Sequence, residues 1–188
     1  MPKQRITQEE ILKTAFSLLR KEGLEKVNAR TIANWIGCSV QPIYSYFSNM
    51  EALMNRLYDC AGQYLNEYVD ANADKQHYFE SIGKCHIFFA KEEKHLFRFL
   101  FLSPYTRVES LRDLYKKHGR ADVTRIIQNS LGLSLSDAEE LYTNMIIYTH
   151  GIACLIATDA AHITYEEIHP KVYSAYLAFL SQLRKEKV

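Results

Sequence analysis

The chain has 188 residues, 47% of them apolar, and a formal net charge of +1, which allows one or two domains with a substantial core. No window approaches the roughly 18 uninterrupted apolar residues of a membrane span, and the polar opening MPKQRITQEE lacks the apolar run of a secretion signal. The reading is a cytoplasmic protein with no membrane partner.

The near-neutral charge conceals an asymmetry. Residues 1–47 hold seven Lys and Arg against four acids, so a basic head precedes a mildly acidic body. Such a head suits a polyanion; the alternative is an ordinary solvated surface. The four cysteines (Cys38, Cys60, Cys85, Cys154) form no CxxC pair. They read as small apolar residues in a reducing compartment, with no metal expected.

Taken in order, the chain predicts helix after helix. Thr7…Glu10 forms a capping box, followed by Ile11, Ala15, Leu18 and Leu12, Phe16, Leu19 at helical spacing, and Gly23 ends the helix. Ser48…Glu51, Ser136…Glu139 and Thr164…Glu167 repeat the box. No segment alternates in the manner of a strand. About nine helices are expected, at 7–22, 29–36, 40–46, 49–71, 75–92, 94–102, 108–130, 137–158 and 165–186. Pro170 either kinks the last or begins its main part. The fold class is all-α.

Helices 29–36 and 40–46 are short and separated by Gly37-Cys38-Ser39. Gly37 suits the left-handed turn after a helix, and Ser39 is placed as the next N-cap. Val40, Gln41 and Pro42 are then the first three helical residues, where proline loses little because those amides have no intrahelical acceptor. In a helix-turn-helix the second helix enters the DNA major groove by its N-terminal residues. The candidates are Ser39, Val40, Gln41, Pro42, Tyr44, Ser45 and Tyr46, with Arg30 in the preceding helix and Asn28 as its cap. Gln pairs with adenine, Val and Pro press on a thymine methyl, and hydroxyls hold phosphate oxygens.

The run GLEKVNARTIANWIGCSVQPIYSYFSNMEAL, 23–53, resembles the DNA-binding signature of the TetR family of transcriptional regulators. The resemblance rests on Gly23-Leu24, Asn28, Ile32-Ala33, Gly37-Cys38-Ser39, Ile43-Tyr44-Ser45-Tyr46-Phe47 and Asn49-Met50-Glu51-Ala52-Leu53. It covers about the first 55 residues; the rest matches in size and helicity. It implies a three-helix DNA-binding domain at 1–48 and a helical ligand-binding and dimerisation domain at 49–188. The implied protein is most often a ligand-released repressor that binds a palindromic double-stranded DNA operator as a homodimer. Two departures stand out. Gln41 occupies a position often held by Gly, and Met50 one usually held by a Lys that meets phosphate.

In the body, Thr143–Ala157 is apolar nearly all round, so it is expected to be buried on more than one side. With the aromatic face of the last helix it supplies a candidate dimer interface: Met145, Thr149, Ala153, Tyr173, Tyr176, Leu177 and Leu180. The alternative is an ordinary monomer core. His86, Phe89, Phe97, Phe101, Tyr148 and His150 are candidates for an apolar or aromatic small-ligand pocket. His150 lies mid-helix beside Gly151, where close approach of another backbone or a ligand is expected; it is either a satisfied core histidine or a pocket residue. No GxSxG, HExxH or phosphate loop is present, and neither catalytic residues nor a cofactor are assigned. An alternative function is a helical regulator or interaction module acting through a protein partner.

Overall fold

A computed structural model describes residues 6–185. Lys3 and Arg5, two of the basic residues counted in the head, and residue 186 of the expected last helix lie outside the described residues. Among the described residues the chain forms ten α-helices and one 3-10 turn, Leu24–Lys26. The helices are α1 Gln8–Glu22, α2 Ala29–Ile36, α3 Gln41–Tyr46, α4 Met50–Asn72, α5 Tyr78–Glu92, α6 Lys94–Phe101, α7 Leu111–His118, α8 Ala121–Leu131, α9 Leu135–Ala157 and α10 Tyr165–Lys185. The fold is all-α.

Two compact units result. The first is residues up to Glu67 with Glu93–Thr106; the second is Tyr68–Glu92 with the chain from Arg107 onward. These units are drawn differently from the expected domains 1–48 and 49–188, because α6 packs against α1.

In the first unit, Thr7 caps α1 by accepting from the Glu10 amide at 3.1 Å. Ile11, Ala15, Leu18 and Leu19 turn one stripe of α1 inward; α1 packs against α2, α3 and α6, and Ile32 and Ala33 of α2, Ile43 of α3 and Leu53 and Leu57 of α4 are buried as well. Gly23 ends α1 at φ 87°. A side chain there would strike His95 of α6, whose Nδ1 lies 2.9 Å from the site of a Cβ. Both the conformation and the space call for glycine.

In the second unit, α9 packs against α5, α8, α10 and α7. Its core is built from Val123, Ile127, Leu141, Tyr142, Met145 and Leu180. Burial pushes the Tyr142 phenol up to about 12. Gly83 of α5 lets Thr149 of α9 approach, its Cγ2 lying 3.1 Å from where a Cβ would stand.

Several helix starts differ from the sequence expectation. The single helix expected at 108–130 is two, α7 and α8, broken at Gly119. A Cβ at Gly119 would lie 2.4 Å from the Tyr115 carbonyl oxygen, so the backbone folds back too closely for any side chain. The Tyr115 hydroxyl then bonds the Thr124 hydroxyl at 2.8 Å, holding α8 to α7. The box expected at Ser136…Glu139 stands two residues earlier: Ser134 Oγ accepts from the Asp137 amide at 3.1 Å, and Asp137 accepts in return from the Ser134 amide. Gly132 is left-handed and Leu133 is buried, so the chain is already aligned for a helix at Leu135. Asn49, rather than Ser48, caps α4, accepting from the Ala52 amide at 2.8 Å. At Thr164 the reciprocal half of the box is present, the Thr164 amide donating to Glu167 at 2.9 Å. α10 runs through Pro170 as one helix.

Candidate nucleic-acid interface

The geometry of the head follows from two small residues. Asn28 caps α2, its Oδ1 accepting from the Thr31 amide at 3.0 Å. Gly37 ends α2 in the left-handed conformation, φ 80°, and the Gly37 and Cys38 amides both return to the Ala33 carbonyl at 2.9 Å. That reversal directs the chain into α3.

α3 begins one residue later than expected. Val40, not Ser39, is its N-cap, and it makes no side-chain cap bond. Gln41 and Pro42 are the first two helical residues. Pro42 remains within the first turn, where its missing N–H is not needed. Ile43 is fully buried and Phe47 is 3% exposed, and these two anchor α3 from beneath. Burying a side chain of this size stabilises by about 1.5–3 kcal/mol.

The opposite face of α3 is therefore outward. Val40, Tyr44 and Tyr46 are exposed large side chains, Tyr44 by 50%. Asn28, Arg30, Ser39, Gln41 and Ser45 are exposed, and Pro42 is half-buried. Three of these nine residues also have work inside the chain. Asn28 caps α2, Ser45 Oγ donates to the Pro42 carbonyl at 2.7 Å, and the Tyr46 hydroxyl donates to the Ile6 carbonyl at 3.0 Å. The Tyr46 bond secures the chain just before α1 to the end of α3.

Trp35 was not singled out in the sequence. It is 49% exposed on α2, with Lys21 Nζ 5.8 Å from its ring centre. The helical period contains the signal: Ile32 and Ala33 point inward, which turns Trp35 outward.

Behind this face, α1 is tied to α6. Glu93, the N-cap residue of α6 and 8% exposed, accepts from Arg20 Nε at 2.7 and 3.0 Å and from Arg20 Nη2. The Tyr64 hydroxyl donates to the same carboxylate at 3.0 Å. The hydrogen bond that Arg20 donates to Glu93 raises the Arg20 guanidinium pKa, and burial raises the Tyr64 phenol.

The candidate pocket residues fall in both units. Phe97 is fully buried in the first unit, its ring centre 4.7 Å from that of Phe101. In the second unit, Phe89 is fully buried and meets Tyr68 edge-on at 5.3 Å. His86 and His150 contact each other at 3.3 Å. Tyr148 lines an open groove of about 540 Å³ with Ile152, Ile163, Ile168, Pro170 and Lys171, rimmed by Glu166 and Glu167.

The candidate dimer residues divide by exposure. Met145, Thr149 and Ala153 of α9, and Leu180 of α10, are buried inside the subunit. Tyr176 is half-buried, and Tyr173 and Leu177 are exposed. The outward stripe of α9 is instead Ile147, Gly151 and Leu155. The close approach expected at Gly151 does not occur within the chain, since a Cβ there meets nothing within 4 Å. Among the described residues, no group of three or more His, Cys, Asp or Glu side chains is placed to hold a metal ion, and no helix is long and apolar enough to cross a membrane.

A left-handed glycine turn between two short helices, the second anchored from below and polar above, defines a helix-turn-helix protein. Residues 11–57 match the model of the bacterial regulatory proteins, tetR family. Over these residues the chain carries a DNA-binding domain similar to that family's, which supports a DNA-binding transcriptional regulator. No curated protein matches the chain.

Proposed function

We propose that the protein is a ligand-released repressor that binds a palindromic operator as a homodimer in the cytoplasm. The observation that carries the DNA-reading part is the outward face of α3, with Gln41 and Tyr44 above buried Ile43 and Phe47. Gln41 reads an adenine edge and Tyr44 holds a phosphate, while Arg30 contacts the backbone from α2. Asn28 and Tyr46 act by positioning α2 and the start of α1.

A short recognition helix contacts few bases, so specificity requires two copies. The support for a dimer is apolar surface on two neighbouring helices: Ile147 and Leu155 on α9, Tyr173 and Leu177 on α10, each more than 40% exposed. Gly151 leaves space between Ile147 and Leu155 for a partner helix to approach. Packing these stripes against their own copy gives an isologous interface. Met145, Thr149, Ala153 and Leu180 have no surface to offer and serve the fold.

The dimer then adopts two states, one with its recognition helices roughly 34–36 Å apart, matching successive major grooves. A small apolar or aromatic ligand in the second unit favours the other state, and release follows from its differential affinity.

Selection from random duplex DNA at about 150 mM salt tests the reading. Recovery of an inverted repeat whose half-sites are one helical turn apart supports it. A folded, dimeric protein that enriches no sequence with or without a ligand library overturns it.

A further inference from the structure

Three side chains unconnected with DNA reading meet on the flank of α9. Cys154 Sγ lies 3.3 Å from His150 Nε2, one helical turn away. The other nitrogen of that ring, Nδ1, lies 3.3 Å from His86 Nε2 of α5. The two imidazole centres are 5.6 Å apart. One proton arrangement satisfies both contacts with the thiol as donor: Cys154 S–H donates to His150 Nε2, and His150 Nδ1–H donates to His86 Nε2. This is the order of a nucleophile, its base and the group that orients the base.

We propose that Cys154 is a modification site for soft electrophiles of the α,β-unsaturated carbonyl class, with His150 as the base that receives the thiol proton and His86 as a positioning residue. The sulfur electron pair forms a bond to the β-carbon of the electrophile. The carbon–carbon π pair moves to the α-carbon as an enolate, and the thiol proton passes to His150 Nε2. The imidazolium then returns that proton to the α-carbon. The product is a thioether, and no oxidant or reductant takes part.

Burial supports this order of events. It raises the Cys154 thiol above its ordinary value and lowers the His150 imidazole. The resting pair is therefore neutral, and the proton moves only as the carbon–sulfur bond forms. Among the groups that face His150 are His86 from α5 and Cys154 from its own helix. Cys154 is half-buried, so a small reagent reaches it, and Cys38 and Cys60 have comparable exposure and serve as internal references. Cys85 is buried. The chemistry does not depend on operator binding, so its test is separate from that of the regulator reading.

The experiment is alkylation of the full chain by N-ethylmaleimide between pH 5.5 and 7.5, with the rate at each cysteine read by peptide mass spectrometry. Expected is fastest labelling at Cys154, with a rate nearly level until His150 protonates below about 6.5. Labelling that depends on preformed thiolate falls about tenfold per pH unit. His150→Gln is expected to slow Cys154 about 100-fold, the contribution of a positioned base, and to restore the tenfold dependence. His86→Leu slows Cys154, whereas His86→Gln, whose amide oxygen still accepts from Nδ1–H, retains most of the rate and the level profile. In the native protein alone, Cys154 labelling that tracks Cys38 and Cys60 across pH overturns the proposal. An unchanged Cys154 rate in His150→Gln does the same.

Discussion

Arg20 on α1 grips Glu93, the N-cap residue of α6, with both Nε and Nη2, while its guanidinium carbon lies 5.1 Å from the centre of the Tyr64 ring. The pair is lopsided. The Glu93 side chain is 9% exposed and the Arg20 side chain 47%. Removing the cation therefore strands a nearly buried carboxylate. A fully buried pair loses about 3–5 kcal/mol when broken from one side. Because Arg20 is half in water, Arg20→Leu is expected to cost about 2–3 kcal/mol in urea unfolding. The double change Arg20→Leu with Glu93→Leu is expected to recover most of it, since no unpaired charge remains. A double variant no more stable than the single one contradicts this account.

The recognition helix separates binding from folding. Tyr44 and Gln41 face outward, so replacing either with Ala is expected to weaken operator binding about tenfold or more while leaving the melting temperature unchanged. Met50 is half-buried at the first position of α4, where the family usually has a Lys. Met50→Lys is expected to steepen the plot of log affinity against log salt by roughly 0.9 per half-site. Titrations at several salt concentrations read both effects, and an unchanged slope sinks the phosphate assignment.

The two stripes of α9 predict opposite outcomes. Leu155→Glu on α9 and Leu177→Glu on α10 place charge on exposed apolar positions and are expected to convert the proposed dimer to a folded monomer, seen by light scattering. Ala153 is fully buried, so Ala153→Leu overfills the interior and is expected to cost about 1–3 kcal/mol of stability. Dimers that persist in both glutamate variants exclude this face.

Burial lowers the pKa of His150 below the ordinary imidazole value of 6.5. Its charged form is thus disfavoured in the folded chain, and the unfolded chain takes up the proton first. The stability from a neutral His150 is fully present above about pH 6.5 and is lost as pH falls through the lower folded value. His150→Leu removes this ring while leaving His86 and Cys154, its two contacts, in the chain. That variant is expected to show a smaller drop in melting temperature between pH 7.5 and 5.5 than the native protein. Parallel curves for the two proteins argue against a buried neutral His150.

The head was legible because its signals are local. Asn28 caps α2 with its own side chain, Gly37 takes a conformation that other residues resist, and Ile32, Ala33, Ile43 and Phe47 recur at helical spacing. Each acts within a few residues along the chain, so reading in order finds it. The first residue of α3 was misplaced by one: Ser39 is the better cap by residue type, whereas Val40, with no side-chain cap bond, stands at the helix start.

The second unit was less legible for the opposite reason. α9 is apolar nearly all round, so periodicity has no polar face to mark the outside. Packing on α5, with Gly83 admitting Thr149, turns Met145, Thr149 and Ala153 inward and leaves Ile147, Gly151 and Leu155 to the surface. The break at Gly119 depends on the closeness of the Tyr115 carbonyl, and the Arg20–Glu93 pair joins residues 73 positions apart. The contact of Cys154 and His150 with each other follows from their spacing on one helix, but the addition of His86 from α5 does not. Capping, turn conformation and helical period are written in neighbouring residues. Which stripe is buried, which ions pair and which nucleophile meets which base are set by helices far apart in the chain, and packing alone brings them together.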